Sequence, residues 1–315
     1  MPARRAEVER GGAAWTLPCY TRAVIGAGLL DDPEEPRVPD ALRGLAVVDA
    51  HVHLFPPRVF AAIWRWFDAH AWPVRYRLGS EQVIEFLCAR GVERLVGLAY
   101  AHKAGMAAAL NAHLLDLARR FPAVIPTATV LPGEPGAREL LRRALGEGAR
   151  GVKVHCHVQR LAPDDPRLDP VFEEAVRARV PVVIHAGREP SSPAYGVDTR
   201  ALCSAAAVER ALLRHPELDL VVPHLGADEY AEYEALLDRH PRLWLDTTMA
   251  IAGYFEHEPD RSILARRADR LLYGTDFPNL PFAWSRELNV IARAGLAPAR
   301  LAALLGGNAL RLFSP

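Results

Sequence analysis

From Val47 onward the chain alternates between two textures. Apolar runs of four to six residues, rich in Val, Ile and Leu, give way to amphipathic stretches of ten or more, with Gly, Pro and Asp as punctuation. The runs have strand length, and the stretches repeat their apolar positions at helical spacing. Strands are predicted at 47–53, 94–99, 124–130, 151–155, 182–185, 220–224, 243–246 and 271–274. Helices are predicted at 58–70, 80–90, 105–120, 136–146, 170–179, 199–215, 228–240, 261–267, 283–294 and 299–312. Ser80 is the expected N-cap of its helix and Gly91 its stop. Eight β-then-α units require right-handed crossovers and a parallel sheet. Closed on itself, that sheet is a (β/α)8 TIM barrel, with its active site where the strands end. No Gly-x-Gly-x-x-Gly follows a strand, so a dinucleotide-binding open sheet has no support.

Residues 1–44 stand outside this rhythm. They are rich in Pro, Gly and charge, with Asp31-Asp32-Pro33-Glu34-Glu35-Pro36 near the middle. They are expected to form an extension draped over a 45–315 barrel domain, with Trp15 to Leu17 and Ala23 to Ile25 the parts that pack. The 315 residues carry 38 basic and 38 acidic side chains at a pI near 7.2. This balance gives no electrostatic case for nucleic acid or an anionic membrane. Cys19, Cys88, Cys156 and Cys203 are scattered, without a Cys-x-x-Cys pair, so neither a disulfide framework nor a zinc ribbon is indicated. Arg4-Arg5 is followed by Glu7, Glu9 and Arg10 where an export signal needs apolar residues. No window approaches the ~20 apolar residues of a membrane span. A soluble, cytoplasmic protein is expected, with a homodimer an admissible assembly.

The candidate chemistry lies at the strand ends. Val47-Val-Asp-Ala-His51-Val-His53 places two imidazoles on one face of a strand. Gly151-Val-Lys153-Val-His155-Cys-His157, Pro181-Val-Val-Ile-His185-Ala-Gly187 and Val221-Val-Pro-His224-Leu-Gly226 each finish an apolar run in histidine. The last strand ends Leu271-Leu-Tyr-Gly-Thr-Asp276-Phe-Pro. One such histidine reads as a hydrogen-bonded core imidazole. Six ligand-type residues at equivalent strand ends read as a metal site.

Taken in order, these motifs are similar to the barrel signatures of the amidohydrolase superfamily. They most resemble its amidohydrolase-related branch, which includes aminocarboxymuconate semialdehyde decarboxylase and related metal-dependent decarboxylases. Leu305-Gly-Gly-Asn308-Ala-Leu-Arg-Leu312 resembles that branch's C-terminal helix, so the likeness covers roughly residues 45–315. It implies that His51, His53, His185 and Asp276 bind one divalent metal ion. It also implies that His224 is unligated and orients or deprotonates the metal-bound water, with Asp276 as a second proton carrier. Independently, three imidazoles and a carboxylate suit Zn²⁺, which lowers the pKa of a bound water to about 7; Mn²⁺ is the second choice.

Binuclear members of the superfamily bridge two metals with a carboxylated strand-4 lysine, and Lys153 stands on that strand. Overlaying strands 4 and 5 sets Lys153 level with Val183 and His155 level with His185. The mononuclear site is therefore preferred, and Lys153 is expected to pair with an acid such as Asp49. Substrate is expected to meet loop residues: His102 and Lys103 after strand 2, His155, His157 and Gln159 after strand 4, and Arg188 after strand 5. Lys103 and Arg188 would each pair with a substrate carboxylate. Trp64, Trp66, Trp72 and Tyr76 are expected to pack the insert after strand 1 onto the barrel, one of them lining the pocket. Asp246-Thr247-Thr248 would touch substrate or satisfy backbone groups. The function expected is hydrolysis of a small carboxylated ester, lactone or amide, with non-oxidative decarboxylation of an unsaturated or aromatic acid as the alternative.

Overall fold

The computed structural model describes residues 32–314, Glu256 excepted. The expected packing of Trp15 to Leu17 and Ala23 to Ile25 lies outside the described residues. Hydrogen bonding divides the strands into a three-stranded and a six-stranded parallel sheet. Both divisions close in the chain's own backbone. Val124–Pro126 and Ala128–Thr129 are halves of one strand, joined through Thr127, whose N–H donates to the Gly97 carbonyl at 3.2 Å. At the other seam, Ala50 N–H donates to Tyr273, Asp276 N–H to His51 and His53 N–H to Phe277, at 2.8–2.9 Å. The result is an eight-stranded parallel barrel: β1 (Val48–His53), β2 (Arg94–Leu98), β3 (the split strand just given), β4 (Val152–His155), β5 (Val182–His185), β6 (Leu220–Val222), β7 (Leu243–Asp246) and β8 (Leu271–Leu272).

Side-chain alternation sorts each strand into two environments. Val182, Ile184, Leu220, Val222, Leu243 and Leu245 face the surrounding helices. Val48, Ala50, Val96, Leu98, Ile125, Val183, Val221, Trp244 and Leu272 form a separate cluster with Phe313, the barrel's apolar floor. Above it the inward positions turn polar: Lys153 and His155 on β4, His185 on β5, Asp246 on β7. In β1 a register shift between Asp49 and Val52 changes the phase of the alternation. It lets His51 and His53 follow Val48 and Ala50 onto the inner side while Val52 packs outward.

The helices follow the sequence pattern with instructive departures. The helix Ser80–Ala89 begins one residue beyond its cap, which is Gly79, not Ser80. Ser80 Oγ donates instead to the Phe55 carbonyl at 2.9 Å, and Gln82 Oε1 accepts from Gly79 N–H. The helix expected at 199–215 is two, Thr199–Leu202 and Ala205–Arg214, because Ser204 turns extended and caps the second through Ala207 N–H at 3.1 Å. The end of the extension is ordered against the barrel. Tyr76 OH donates to Glu34 at 2.6 Å, Arg286 pairs with Asp32 at 2.7 Å, and Trp284 Nε1 donates to the Glu35 carbonyl.

Outside the barrel, the buried carboxylate of Glu174 ties helix Asp169–Ala178 to helix Ala137–Gly146. It accepts from Arg142, Arg138 and Arg177 at 2.7–2.8 Å. Hydrogen bonds from Arg142 first, then from Arg138 and Arg177, hold this carboxyl down at about 2 from an ordinary 4.5. Its contribution is therefore present above the unfolded value and lost as pH falls from 4.5 through about 2. Glu174→Gln should lower the melting temperature by a few degrees at pH 7, and the gap to the unmodified protein should close towards pH 2. A gap independent of pH would assign the effect to packing.

Candidate active site

The polar layer begins with Lys153, fully buried on the inner side of β4. In register it lies beside Val183, with His155 beside His185. Its expected partner, Asp49, is elsewhere. The β1 phase change sends Asp49 to the other side of the strand, where it accepts from Thr275 Oγ1 (2.6 Å), Thr275 N–H and His51 N–H. Lys153 Nζ is left buried without a hydrogen-bond partner. Burial lowers its pKa to about 8 against the pull of Asp246 and Asp276.

Above Lys153, His51, His53 and Asp276 bring ligand atoms within 4.8 Å of one another. His53 Nε2 lies 2.8 Å from Asp276 Oδ1, and His51 Nε2 lies 3.7 Å from the same oxygen. Burial would raise the Asp276 carboxyl, but the His53 hydrogen bond and the nearby imidazoles outweigh it and set it at about 2. Burial also lowers His51 to about 4 and keeps His155, His185 and His224 below the usual imidazole range. These rings are therefore neutral near pH 7 and carry lone pairs, the form a metal requires. The backbone here is specialised as well. His224 and Asp276 both adopt left-handed φ, 59° and 75°. Gly274 lets β8 approach β1 closely, since a Cβ there would stand 2.9 Å from His51 Cβ.

Which nitrogens are free follows from the outer contacts. Asp246 Oδ2 accepts from His51 Nδ1 at 2.9 Å, aiming His51 Nε2 at Asp276. Asp246 Oδ1 accepts the backbone N–H groups of His224 and Thr248. His224 Nδ1 donates to the Thr248 carbonyl at 2.9 Å, and His185 Nε2 donates to the Glu189 carbonyl at 3.1 Å. With both protons so placed, His224 Nε2 and His185 Nδ1 face each other at 3.2 Å with two lone pairs and no hydrogen between them. Two neutral imidazoles repel in that pose. A metal ion on His185 Nδ1 or a proton on His224 Nε2 would each relieve it. His51, His53 and Asp276 together fit a divalent ion, and His185 does not share their group of close ligand atoms.

The remaining expected residues divide. His155 stacks on His185 with ring centroids 4.2 Å apart, and His157 Nε2 donates to the Gly187 carbonyl at 2.8 Å. His155, His157 and His185 form a second group of close ligand atoms. Tyr100 meets His155 edge-on at 4.9 Å, while Trp66 packs on Tyr195, which in turn covers His157 at 5.2 Å. Trp66 thus reaches the site through Tyr195; Trp72 instead donates to the Asn279 carbonyl. His102 and Lys103 are exposed on the loop after β2. Arg188 is not brought to the cluster as a free cation. Its guanidinium pairs with Glu229 at 2.9 Å and donates to the Cys203 carbonyl, both brought from distant positions in the chain. Gln159 clamps three loops, donating to the Ala101 and Val130 carbonyls and accepting His155 N–H. Asp246, the hub of the ligand geometry, carries the same sequence signal as the others, an acid closing a strand.

A family model described as Amidohydrolase matches residues 48–314. The chain belongs to the amidohydrolase family. Among solved structures, this amidohydrolase resembles an uncharacterized TIM-barrel protein from Bordetella bronchiseptica, with 22% identity over 85% of this chain and 98% of the other at TM-score 0.63. It also resembles 5-carboxyvanillate decarboxylase from Novosphingobium aromaticivorans, in complex with manganese and 4-hydroxy-3-methoxy-5-nitrobenzoic acid, with 15% identity over 90% and 100% at TM-score 0.64. A third is a probable 2-pyrone-4,6-dicarboxylic acid hydrolase from Acinetobacter baumannii, with 14% identity over 86% and 100% at TM-score 0.56. At such identities the likeness establishes the fold. No curated protein is a significant match by sequence.

Proposed function

We propose that this amidohydrolase is a metal-dependent hydrolase of a small carboxylated ester, lactone or amide. The observation that carries this reading is the pair of lone pairs on His185 and His224, each fixed by a backbone carbonyl behind its ring. His51, His53, His185 and Asp276 would hold one divalent ion, Zn²⁺ first by donor chemistry and Mn²⁺ second. When bound, such an ion lowers the pKa of a water towards 7 and polarises a carbonyl oxygen. His224 Nε2 takes up the water's proton, its ring held in the right tautomer by Thr248. Asp276, beside His53, accepts or returns a second proton. Tyr100 and Tyr195 wall the site from solvent, and His102 and Lys103 meet the substrate carboxylate at the rim. His155 and His157 contact its body. We place the protein in the cytoplasm on composition, acting on a small molecule as a monomer or homodimer and not on nucleic acid or a membrane. Among the described residues no helix is long and apolar enough to cross a membrane.

A second reading is favoured by the aromatic wall of Tyr100, Tyr195 and Trp66 around the histidines. A planar aromatic acid fits such a wall, and 5-carboxyvanillate decarboxylase, a structural neighbour, acts on one. The residues would then hold a carboxylate that leaves as CO₂. A screen of lactones, esters, amides and aromatic acids, scoring CO₂ separately from hydrolysis, decides. Hydrolysis without CO₂ is expected; CO₂ from an aromatic acid alone would overturn the first reading. Elemental analysis should find about one ion per chain. Two ions, with carbon dioxide fixed on Lys153, would replace the mononuclear site with a bridged one.

A further inference from the structure

We propose that a cleft at the opposite end of the barrel from the metal centre binds a small carboxylate with a flat apolar body. The cleft encloses about 410 Å³ beneath the start of β3, inside the size range of small-molecule sites. Arg94 opens β2 and Arg150 lies two residues before β4, so the two arginines flank β3 from its two neighbouring strands. Arg94 is in register with Val48, five positions before His53. At ~3.3 Å per residue it lies on the order of 15 Å below the histidines, so the cleft is separate from the chemistry.

Charge on its walls is unbalanced. Surface arginines of this chain commonly meet carboxylates, as Arg77 meets Asp68 and Arg242 meets Asp219. Among the described residues, neither Arg94 nor Arg150 has an ion-pair partner, and Arg94 Nε is buried with no hydrogen-bond acceptor. Arg119, also on the wall, is engaged by Asp116 at 3.1 Å. Among the described residues the wall's one carboxylate is Glu147, which lies 3.9 Å from Arg143. Two guanidinium forks without an ion-pair partner among the described residues present planar donor pairs that match a carboxylate's two oxygens. Apart from Ser314 the rest of the wall is apolar, with Ala118, Pro122 and Leu310 presenting surface and Val124 and Phe313 buried behind them. A bare inorganic anion would leave that surface wet, whereas a ring carrying the carboxylate covers it.

Titration calorimetry of the holoenzyme with benzoate, and separately with inorganic phosphate, tests this. Benzoate should bind the unmodified enzyme at the cleft, and the event should persist in His185→Ala, which disables the metal centre. Arg94→Met combined with Arg150→Met should weaken that event ten-fold or more with metal content unchanged. Phosphate should bind at least ten-fold more weakly than benzoate. Arg150→Gln alone, expected to weaken benzoate several-fold, serves if the double variant fails to fold. Benzoate affinity within two-fold of the unmodified enzyme in the arginine variants, or loss of the event in His185→Ala, overturns the site. Phosphate binding as tightly as benzoate overturns the ligand class.

Discussion

Replacing His224 with Asn should leave about one divalent ion per chain while kcat falls ~10²–10⁴-fold, the range for losing a general acid–base group. The asparagine amide can still donate to the Thr248 carbonyl, so the turn that His224 anchors is kept. What disappears is the basic lone pair of Nε2, 3.2 Å from His185. Burial lowers His224 from the ordinary 6.5, opposed by Asp276 and Asp246. Its neutral, basic form thus persists below pH 6.5, and the acid limb of the kcat profile should lie under that value and be absent in the variant. Metal analysis, kcat and the pH profile together decide the role. If the His224→Asn variant purifies without metal, His224 is a ligand and the proton-carrying role belongs to Asp276 alone.

The barrel was legible because its two periodicities are strong and local. Strands such as Val182–His185 and Leu243–Asp246 are short apolar runs buried on both sides, and the first leads on to the amphipathic helix Ala205–Arg214. The ligand layer was legible for a related reason: an apolar run that ends in histidine or aspartate marks the height at which the barrel interior changes from floor to site. His155 and His185 could be levelled by overlay because parallel strands without bulges keep register, and the pairing is as expected. β1 does not keep register. Its phase change between Asp49 and Val52 depends on the closing strand, whose Thr275 and Asp276 bond to Asp49 and to the His51 carbonyl. Nothing within Val-Val-Asp-Ala-His announces that contact, and so the Lys153–Asp49 pair expected from the sequence does not form.

Two other departures share this cause: a partner far along the chain took a group that looked free. Arg188 is taken by Glu229, and Ser80 by the Phe55 carbonyl, 25 positions away. A loop cation and a helix cap are each local readings, and each yields when the fold supplies a better buried acceptor. Asp246 is the reverse case. Its sequence context allowed a backbone-satisfying role, and it has one, but the same carboxylate also orients a ligand.

That double duty makes Asp246→Asn the sharpest test of how the centre is held. The amide oxygen can take the place of Oδ1 and still accept the N–H groups of His224 and Thr248, so the fold should survive. The amide nitrogen then faces His51 Nδ1, where Oδ2 had accepted its proton at 2.9 Å. Two donors cannot share that contact, so His51 must offer its Nδ1 lone pair and carry its proton on Nε2. Nε2 is the atom aimed at Asp276 and the ion, and a protonated nitrogen cannot ligate. Metal affinity, measured by competition with a chelator, should drop ~10–100-fold, the range seen when an orienting carboxylate behind a ligating histidine is removed. Melting of the metal-free variant should stay close to that of the metal-free parent, because the backbone acceptor is kept. Asp246→Ala would lose both roles, stripping a buried acceptor from two N–H groups and one imidazole, and should lower stability as well as affinity. Unchanged metal affinity in Asp246→Asn would mean that His51 does not ligate through Nε2, and the site built around it would have to be redrawn.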